Sequence, residues 1–175
     1  MQQLDVKPYI NETQLQNKVA EIGAALTKKF KGDNIVTICV LKGAFMFYSD
    51  LIRHIDTDLT CEFFGVSSYT GVSSSGEVKV TLDLTQPIEG KHVVLVEDIV
   101  DTGLTMNYLK TTLMARNPAS LTTVALLEKP EALKVPCKLD YVGFKITNEF
   151  VVGYGLDYQG YYRNLPFIGQ VQNFQ

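Results

Sequence analysis

Apolar positions along the chain follow two different periods. Between Glu12 and Phe30, apolar residues recur every three or four positions, which predicts an amphipathic helix that ends near Gly32. The segment Ile35–Leu41, apolar except for Thr37, predicts a strand buried on both faces, as in a parallel sheet. The remaining predicted helices and strands are Ala44–Ile55, Thr60–Val66, Val78–Leu82, Val93–Val96, Leu104–Arg116, Thr123–Leu127 and Tyr141–Ile146.

This alternation of strands and helices predicts an α/β fold with an open, mostly parallel sheet flanked by helices. Ligands of such sheets bind outside the carboxyl ends of the strands. The polar run Ser67–Gly76 has no periodicity and is expected to be a mobile loop, and Val151–Gln175 is expected to form strands and loops of a small lid or lobe. A length of 175 residues predicts a single domain over residues 1–175.

The composition narrows the class of protein further. The net charge of −3 argues against nucleic acid as the main partner, since nucleic-acid-binding domains usually carry a basic surplus. The longest apolar runs are strand-sized, well short of the roughly 20 residues that span a bilayer, and no signal peptide is visible at Met1–Tyr9. Neither a membrane nor a nucleic acid is therefore an expected partner.

The cysteines and histidines are expected to be structural. Cys39, Cys61 and Cys137 are scattered singly, which predicts neither disulfides nor a cysteine metal site. His54 lies near a predicted helix end and His92 begins a buried strand, so neither is a good catalytic candidate. Free thiols are typical of the reducing cytoplasm, where we expect the protein to act.

The segment after the strand Val93–Val96 carries the densest chemistry. Glu97 and Asp98 are followed by Asp101 and a Thr-Gly-x-Thr step that opens a helix. Backbone N–H groups at a helix start bind phosphate, while paired carboxylates accept hydrogen bonds from a vicinal diol. A ribose 5-phosphate carries both groups, and magnesium bridging through the diol would relieve the repulsion between the acids.

Other interpretations of this segment remain open from the residues alone. The acid pair could be solvated side chains at a strand end or a metal site like that of a receiver domain, and Asp101 could cap the helix. The three acids together with Thr-Gly-x-Thr favour the ribose phosphate interpretation. A dinucleotide-binding fold is disfavoured because the G-x-G-x-x-G fingerprint is absent.

Val94–Thr105 resembles the phosphoribosyl pyrophosphate signature of the type I phosphoribosyltransferases. The likeness runs from about Ile35 to about Phe167 and extends to the members that act on hypoxanthine and guanine. It implies the type I fold, with a small hood built from the chain termini. Four further motifs stand in the family's order: Leu41-Lys42-Gly43, Ser68-Tyr69, Leu127-Glu128-Lys129-Pro130 and Phe150–Tyr158.

The resemblance assigns roles to the residues around the ribose phosphate. Glu97 and Asp98 are implied to hold the ribose hydroxyls, directly or through magnesium. Asp101 is also implied to be the catalytic group that exchanges a proton with N7 of the purine. The residues implied to bind the 5′-phosphate are Asp101, Thr102, Gly103, Leu104 and Thr105, of which Leu104 replaces a polar or basic residue of some relatives.

Further motifs are assigned to pyrophosphate. Leu41, Lys42 and Gly43 are implied to bind it, with a non-proline cis peptide bond between Leu41 and Lys42. Arg163 is implied to clamp it, because a planar guanidinium fits phosphate oxygens. Ser68 and Tyr69 are implied to open a loop that folds over the site and excludes water.

The purine site is assigned by the same resemblance. Lys129 is implied to face O6 of the base, Phe150 to stack on the ring, and Val151 to offer backbone groups to its pairing edge. An ammonium only donates hydrogen bonds, so Lys129 suits a 6-oxopurine and not the amino group of adenine. Asp157 is assigned to the purine site and to a second magnesium ion.

The implied reaction is a step of purine salvage. A 5-phosphoribosyl group passes from phosphoribosyl pyrophosphate to N9 of hypoxanthine or guanine, giving IMP or GMP and pyrophosphate, with two magnesium ions during turnover. A homodimer or homotetramer is expected. The alternatives are a phosphoribosyltransferase that prefers xanthine, and a nucleotide-sensing regulatory protein on the same fold.

Overall fold

A computed structural model of the chain describes residues 4–68 and 78–172. Its helices are α1 (Glu12–Lys29), α2 (Phe45–Ile52) and α3 (Leu104–Met114), with a short 3-10 helix at Pro130–Ala132. Its strands are β1 (Val6–Ile10), β2 (Ile35–Leu41), β3 (Leu59–Ser68), β4 (Val78–Leu82), β5 (His92–Val100), β6 (Ser120–Glu128), β7 (Tyr141–Lys145), β8 (Val151–Val152) and β9 (Ile168–Val171).

The main sheet has six strands in the order β4-β3-β2-β5-β6-β7. All neighbouring pairs are parallel except β3 and β4, which are antiparallel. The predicted open, mostly parallel α/β sheet is therefore confirmed. Because the parallel strands run in one direction, β2, β5 and β6 end at the same edge of the sheet.

Helices cover both faces of this sheet. Successive side chains of a strand point to opposite faces, so Cys39 packs with α1 and α2 while Ile38 packs with α3. Asn11 starts α1 with a capping box, in which its side chain accepts from the Gln14 amide and the Gln14 side chain accepts from the Asn11 amide. Burial on both faces explains why β2 is apolar except at Thr37, whose hydroxyl donates to the Thr60 carbonyl at 2.9 Å.

A second, smaller sheet joins distant parts of the chain. Its order is β1-β9-β8, with both pairs antiparallel. The segment Val151–Gln175 contains strands, as predicted, but the sequence did not predict β1. Among Lys7, Pro8 and Tyr9 no apolar alternation is present and all three side chains are exposed, so pairing with β9 alone defines this strand. We call the β1-β9-β8 sheet the hood.

The strand boundaries correct two details of the sequence interpretation. Glu97 and Asp98 lie within β5 and not in the turn after it, because β5 continues to pair with β6 as far as Val100. Similarly, β3 continues through Ser68, two residues beyond the predicted strand, because it pairs with β4. The turn that follows the acids is therefore only three residues long, 101–103.

No helix among residues 4–68 and 78–172 combines the length and apolar character needed to cross a membrane.

Candidate active site

A cleft of about 960 Å³ opens at the carboxyl ends of β2, β5 and β6. Its walls come from the ends of these strands and from the segment around β8. Sequence motifs that are far apart along the chain thus meet in one cavity. The predicted site residues that line it are Leu41, Lys42, Gly43, Glu97, Asp98, Asp101, Thr102, Gly103, Thr105, Lys129, Phe150, Val151, Asp157 and Arg163.

Three predicted site residues are not among the lining residues that the structure describes. Leu104 begins α3 with a side chain that is 42% exposed, and its amide lies 3.4 Å from the Thr102 hydroxyl oxygen. The Leu104 side chain is thus not part of the described cleft surface. Ser68 is the last residue of β3, and Tyr69 lies outside the described residues together with 70–76 of the predicted loop.

The acid pair is held against the backbone of β5. Glu97 is buried, and its carboxylate accepts from the Asp98 amide at 3.2 Å, while the Asp98 carboxylate accepts from the Ile99 amide at 2.7 Å. Burial, reinforced by the neighbouring Asp98 charge, raises the pKa of Glu97 well above its usual range. Burial likewise raises the pKa of Asp98. A cation or hydroxyl donors at this position would offset the cost of two adjacent carboxylates.

The donor set fits magnesium that is shared with a substrate. Adjacent carboxylates are hard oxygen ligands, and magnesium typically takes one or two of them and completes its shell with substrate phosphates and water. Within the described part of the chain, no cluster of three or more His, Cys, Asp or Glu side chains is arranged to hold a metal by itself. A magnesium ion at the acid pair would therefore take only part of its coordination shell from the described residues.

Gly43 lies directly against the acid pair. A Cβ atom at this position would lie 1.5 Å from Oδ2 of Asp98, so the close approach of the backbone to the Asp98 side chain requires glycine. The peptide bond between Leu41 and Lys42 is cis, as predicted. The backbone that follows β2 thus packs against the Asp98 carboxylate of β5 without an intervening side chain.

The turn between β5 and α3 forms one side of the cleft. Gly103, with φ of 80°, precedes α3 as its N-cap residue, so the alternative interpretation of Asp101 as the helix cap is wrong. Asp101 is exposed in the cleft, and the Thr102 carbonyl accepts from the Lys134 amide at 3.0 Å. The first amides of a helix have no partner within the helix, which leaves them available to an anion.

The opposite wall comes from Lys129 and the segment that leads into β8. The Lys129 amide donates to the Val100 carbonyl at 2.9 Å, which fixes the lysine beside the end of β5. Phe150 packs edge to face with Tyr158, with ring centroids 5.9 Å apart, and Val151 is buried where β8 pairs with β9. A cation and an aromatic ring thus border one apolar recess.

Arg163 and Asp157 are paired with each other. The guanidinium lies 2.6 Å from Oδ1 of Asp157 and donates to the Gly155 carbonyl at 2.5 Å. The second carboxylate oxygen of Asp157 accepts from the Gly160 amide at 2.6 Å. Both side chains are partly buried at the rim of the cleft, with their polar atoms already bonded.

Several lining residues carry no sequence signal. Ile99, Met106 and Leu156 supply apolar surface, and Val66 and Thr81 border the cleft from the antiparallel edge of the sheet. Apolar side chains that line a cleft have the same types as core residues, so periodicity cannot separate the two groups. The polar lining residues were predictable mainly because they stand in motifs that resemble those of the type I phosphoribosyltransferases.

Comparison with known proteins agrees with this geometry. Residues 11–159 match the family described as the phosphoribosyl transferase domain. The chain therefore belongs to the phosphoribosyltransferase family.

Similar proteins in this family are named for the bases hypoxanthine and guanine. The chain is 48% identical to the hypoxanthine-guanine phosphoribosyltransferase of Bacillus subtilis over 93% of its own length and 91% of that protein. It is also 49% identical to the bifunctional protein TilS/HprT of Listeria innocua over 93% of its own length, and spans a quarter, 25%, of that longer protein. The hypoxanthine phosphoribosyltransferase of Trypanosoma cruzi, solved with its product IMP, superimposes with a TM-score of 0.90 at 42% identity, covering 97% of this chain and 95% of the other.

Proposed function

We propose that this chain is a magnesium-dependent 6-oxopurine phosphoribosyltransferase of purine salvage. It transfers the 5-phosphoribosyl group of phosphoribosyl pyrophosphate to N9 of hypoxanthine and guanine, giving IMP or GMP and pyrophosphate. The observation that carries the proposal is the meeting of an acid pair, a helix start and a lysine in one cleft. The names of the similar proteins from Bacillus subtilis and Trypanosoma cruzi support the same base class.

The ribose phosphate would bind along the turn from β5 to α3. Glu97 and Asp98 accept hydrogen bonds from the ribose hydroxyls, as carboxylates do from a vicinal diol. The 5′-phosphate accepts from the amides at the start of α3 and from the Thr102 and Thr105 hydroxyls. In this arrangement the anomeric carbon would face the part of the cleft that Lys129 and Phe150 line.

Asp101 would handle the proton of the base. Asp101 is exposed in the turn that lines the cleft, and its carboxylate does not cap α3. A carboxylate in hydrogen-bond reach of purine N7 can exchange a proton there as bond formation at N9 changes the charge of the ring. Lys129 stabilises the negative charge that develops at O6 in the same step.

Pyrophosphate would leave toward the end of β2. The Leu41-Lys42-Gly43 backbone and Arg163 donate to its oxygens, and Glu97, Asp98 and Asp157 would hold the magnesium ions, two of which we expect during turnover. When bound, magnesium supplies positive charge against the leaving group. Because Asp157 and Arg163 now bond each other, substrate binding would exchange those partners for a cation and a phosphate.

Lys129 would set the choice of base. Its ammonium group can donate hydrogen bonds but cannot accept them. It therefore matches a 6-oxo group, whereas a 6-amino group would place two donors against each other. Phe150 stacks on the ring and the Val151 backbone meets the pairing edge. Hypoxanthine, guanine and xanthine share the 6-oxo group, so Lys129 separates this class from adenine and not its members from each other.

We also infer where and in what form the protein acts. The free cysteines Cys39, Cys61 and Cys137 are compatible with a reducing cytoplasm. Phe45 and Phe63, exposed by 36% and 41%, support burial against a second copy in a homodimer or homotetramer. Light scattering of the purified protein measures the number of copies directly.

The test is nucleotide formation by the purified protein. The protein is mixed with magnesium and phosphoribosyl pyrophosphate, and each of hypoxanthine, guanine, xanthine and adenine is supplied in parallel. We expect turnover of hypoxanthine and guanine and none of adenine, with a loss of roughly 100-fold or more in kcat for Asp101→Asn. Fast turnover with xanthine and with no other base would identify xanthine as the substrate instead. Tight nucleotide binding without turnover of any base would instead support a regulatory protein.

A further inference from the structure

Tyr154 has an uncommon backbone conformation beside the cleft. Its φ is 50°, in the left-handed region that residues with side chains seldom adopt, and its side chain is buried. The Tyr154 amide donates to the Leu165 carbonyl at 2.9 Å. Such a conformation persists only where surrounding contacts enforce it, and it is found most often near functional sites.

The Tyr154 hydroxyl makes a bond that reaches another part of the fold. It donates to Oδ2 of Asp50 on α2 at 2.6 Å, and the Gln16 side chain on α1 donates to the same oxygen at 3.1 Å. Burial, with a further contribution from the bond to Asp50, raises the pKa of Tyr154 beyond the physiological range, so the hydroxyl remains a donor. The bond therefore joins the segment after β8 to the helix after β2.

The segments that the Tyr154–Asp50 bond joins also touch through their backbones at Gly155 and Gly43. Gly155 follows Tyr154, and α2 begins shortly after Gly43. A Cβ atom on Gly155 would lie 2.1 Å from the Gly43 carbonyl oxygen, so these segments touch through their backbones. The Gly155 amide also donates to the Arg163 carbonyl at 3.0 Å, and its carbonyl accepts from the Arg163 side chain.

We propose that Tyr154 and Asp50 are positioning residues for pyrophosphate binding. Their hydrogen bond holds Gly155 against Gly43, and so sets the distance between the Lys42-Gly43 backbone on one side and Arg163 on the other. Neither side chain is among the cleft-lining residues that the structure describes, so they act through these neighbours. The proposal rests on the phosphoribosyl transfer proposed above.

A positioning role of this kind has a distinct kinetic signature. The purine wall is held separately, because Val151 and Val152 pair with β9 independently of the Tyr154 hydroxyl. Loss of the bond should therefore weaken the binding of phosphoribosyl pyrophosphate and leave the base site in place. A merely structural role would lower the thermal midpoint without moving the ratio of the two KM values.

The first experiment compares Tyr154→Phe with Tyr48→Phe. Tyr48 is a matched control because it is buried on α2 and its hydroxyl lies 2.8 Å from Oγ1 of Thr37, away from the cleft. We expect KM for phosphoribosyl pyrophosphate to rise about 10-fold in Tyr154→Phe, as for loss of a hydrogen bond to a charged acceptor. KM for hypoxanthine should stay within about twofold in both variants, and Tyr48→Phe should keep both values.

A second pair of variants keeps the test decisive if Tyr154→Phe does not fold. Both donors reach one oxygen of Asp50, so an amide oxygen in Asp50→Asn can accept them and should retain the wild-type KM values. Asp50→Ala should reproduce the selective rise in KM for phosphoribosyl pyrophosphate. An active wild type whose Tyr154→Phe and Asp50→Ala variants keep the KM for phosphoribosyl pyrophosphate would overturn the proposal. An inactive wild type would instead refute the proposed function.

Discussion

The guanidinium of Arg163 bonds the carboxylate of Asp157 at 2.6 Å and the Gly155 carbonyl at 2.5 Å. One planar side chain thus orients an acid and a backbone turn on the same rim of the cleft. Two bonds from one guanidinium to two different partners depend on the fork geometry of arginine and not only on its charge. The pair therefore offers a sharp test of how the rim is built.

Arg163→Lys keeps the charge and removes the fork. We expect KM for phosphoribosyl pyrophosphate to rise about 10-fold or more, because a point charge cannot serve the turn and the ligand together. KM for hypoxanthine should change little. Steady-state kinetics with each substrate varied in turn measures both values. A lysine variant with wild-type kinetics would mean that charge alone suffices at this position.

Gly43→Ala should disable the site without unfolding the protein. The added Cβ would meet Oδ2 of Asp98 at 1.5 Å, so either the carboxylate or the end of β2 must move. Because displacements of about 1 Å can cost roughly 100-fold in rate, we expect a loss of that order in kcat/KM.

Gly90→Ala is the matched control for Gly43→Ala. Gly90 has φ of 68°, a Cβ added to it would have no neighbouring atom within 4 Å, and it precedes the amino end of β5, whereas the cleft lies at the carboxyl end. The substitution should cost about 1 kcal/mol of stability and leave kcat/KM unchanged. Equal activity of the two variants would show that the contact with Asp98 does not matter.

Lys129→Met should remove discrimination at the 6 position. The methionine keeps much of the length and apolar surface and loses the only proposed donor to O6. We expect kcat/KM for hypoxanthine and guanine to fall roughly 100-fold, while adenine, which has no acceptor at this position, should not lose further. Lys134→Met, at an exposed position outside the cleft lining, should behave as wild type in the same assays. A parallel loss in both variants would point to net charge as the cause.

The stability of the fold should depend on pH through Asp83. Its carboxylate bonds Arg116 at 2.8 Å, and this hydrogen bond lowers the pKa of Asp83 below its unfolded value of 3.8. A depressed pKa contributes stability that is present above the unfolded value and lost as pH falls through the folded one.

Asp83→Asn tests this dependence. The variant should be less stable than wild type in urea unfolding at about pH 7, and the difference should shrink progressively as pH falls below 3.8, the ordinary pKa of an aspartate. The effect should be small, because the Asp83 side chain is 54% exposed and solvent screens the pair. A difference that persists at acid pH would assign it to packing instead of charge.

The sequence predicted most of the main sheet because its period signals were strong. The buried runs Ile35–Leu41 and Thr123–Leu127 and the apolar steps of Glu12–Phe30 depend on local patterns, and each lies within or close to an observed strand or helix. β1 was missed since its exposed residues carry no pattern and only its pairing with β9 makes it a strand. β5 was predicted too short because Glu97 and Asp98 are polar, yet the strand pairs with β6 through Glu97 and as far as Val100.

The features of the candidate site likewise fall into those that the sequence predicted and those that it could not. Asp101, Lys129 and Arg163 could be proposed because the sequence around them resembles the type I phosphoribosyltransferases, in which these positions carry assigned roles. The contacts of Gly155 with Gly43 and of Tyr154 with Asp50 could not, since each depends on how segments far apart in the chain pack together. No local pattern records such distances.

The pairing of β1 with β9 also has a consequence for synthesis on the ribosome. Every strand of the main sheet precedes residue 146, so the sheet and the turn after β5 can form while the remainder of the chain is still being translated. The strand that holds Val151 is secured only after β9 has emerged and met Val6–Ile10. Translation would thus complete the phosphate half of the cleft first and the purine wall last.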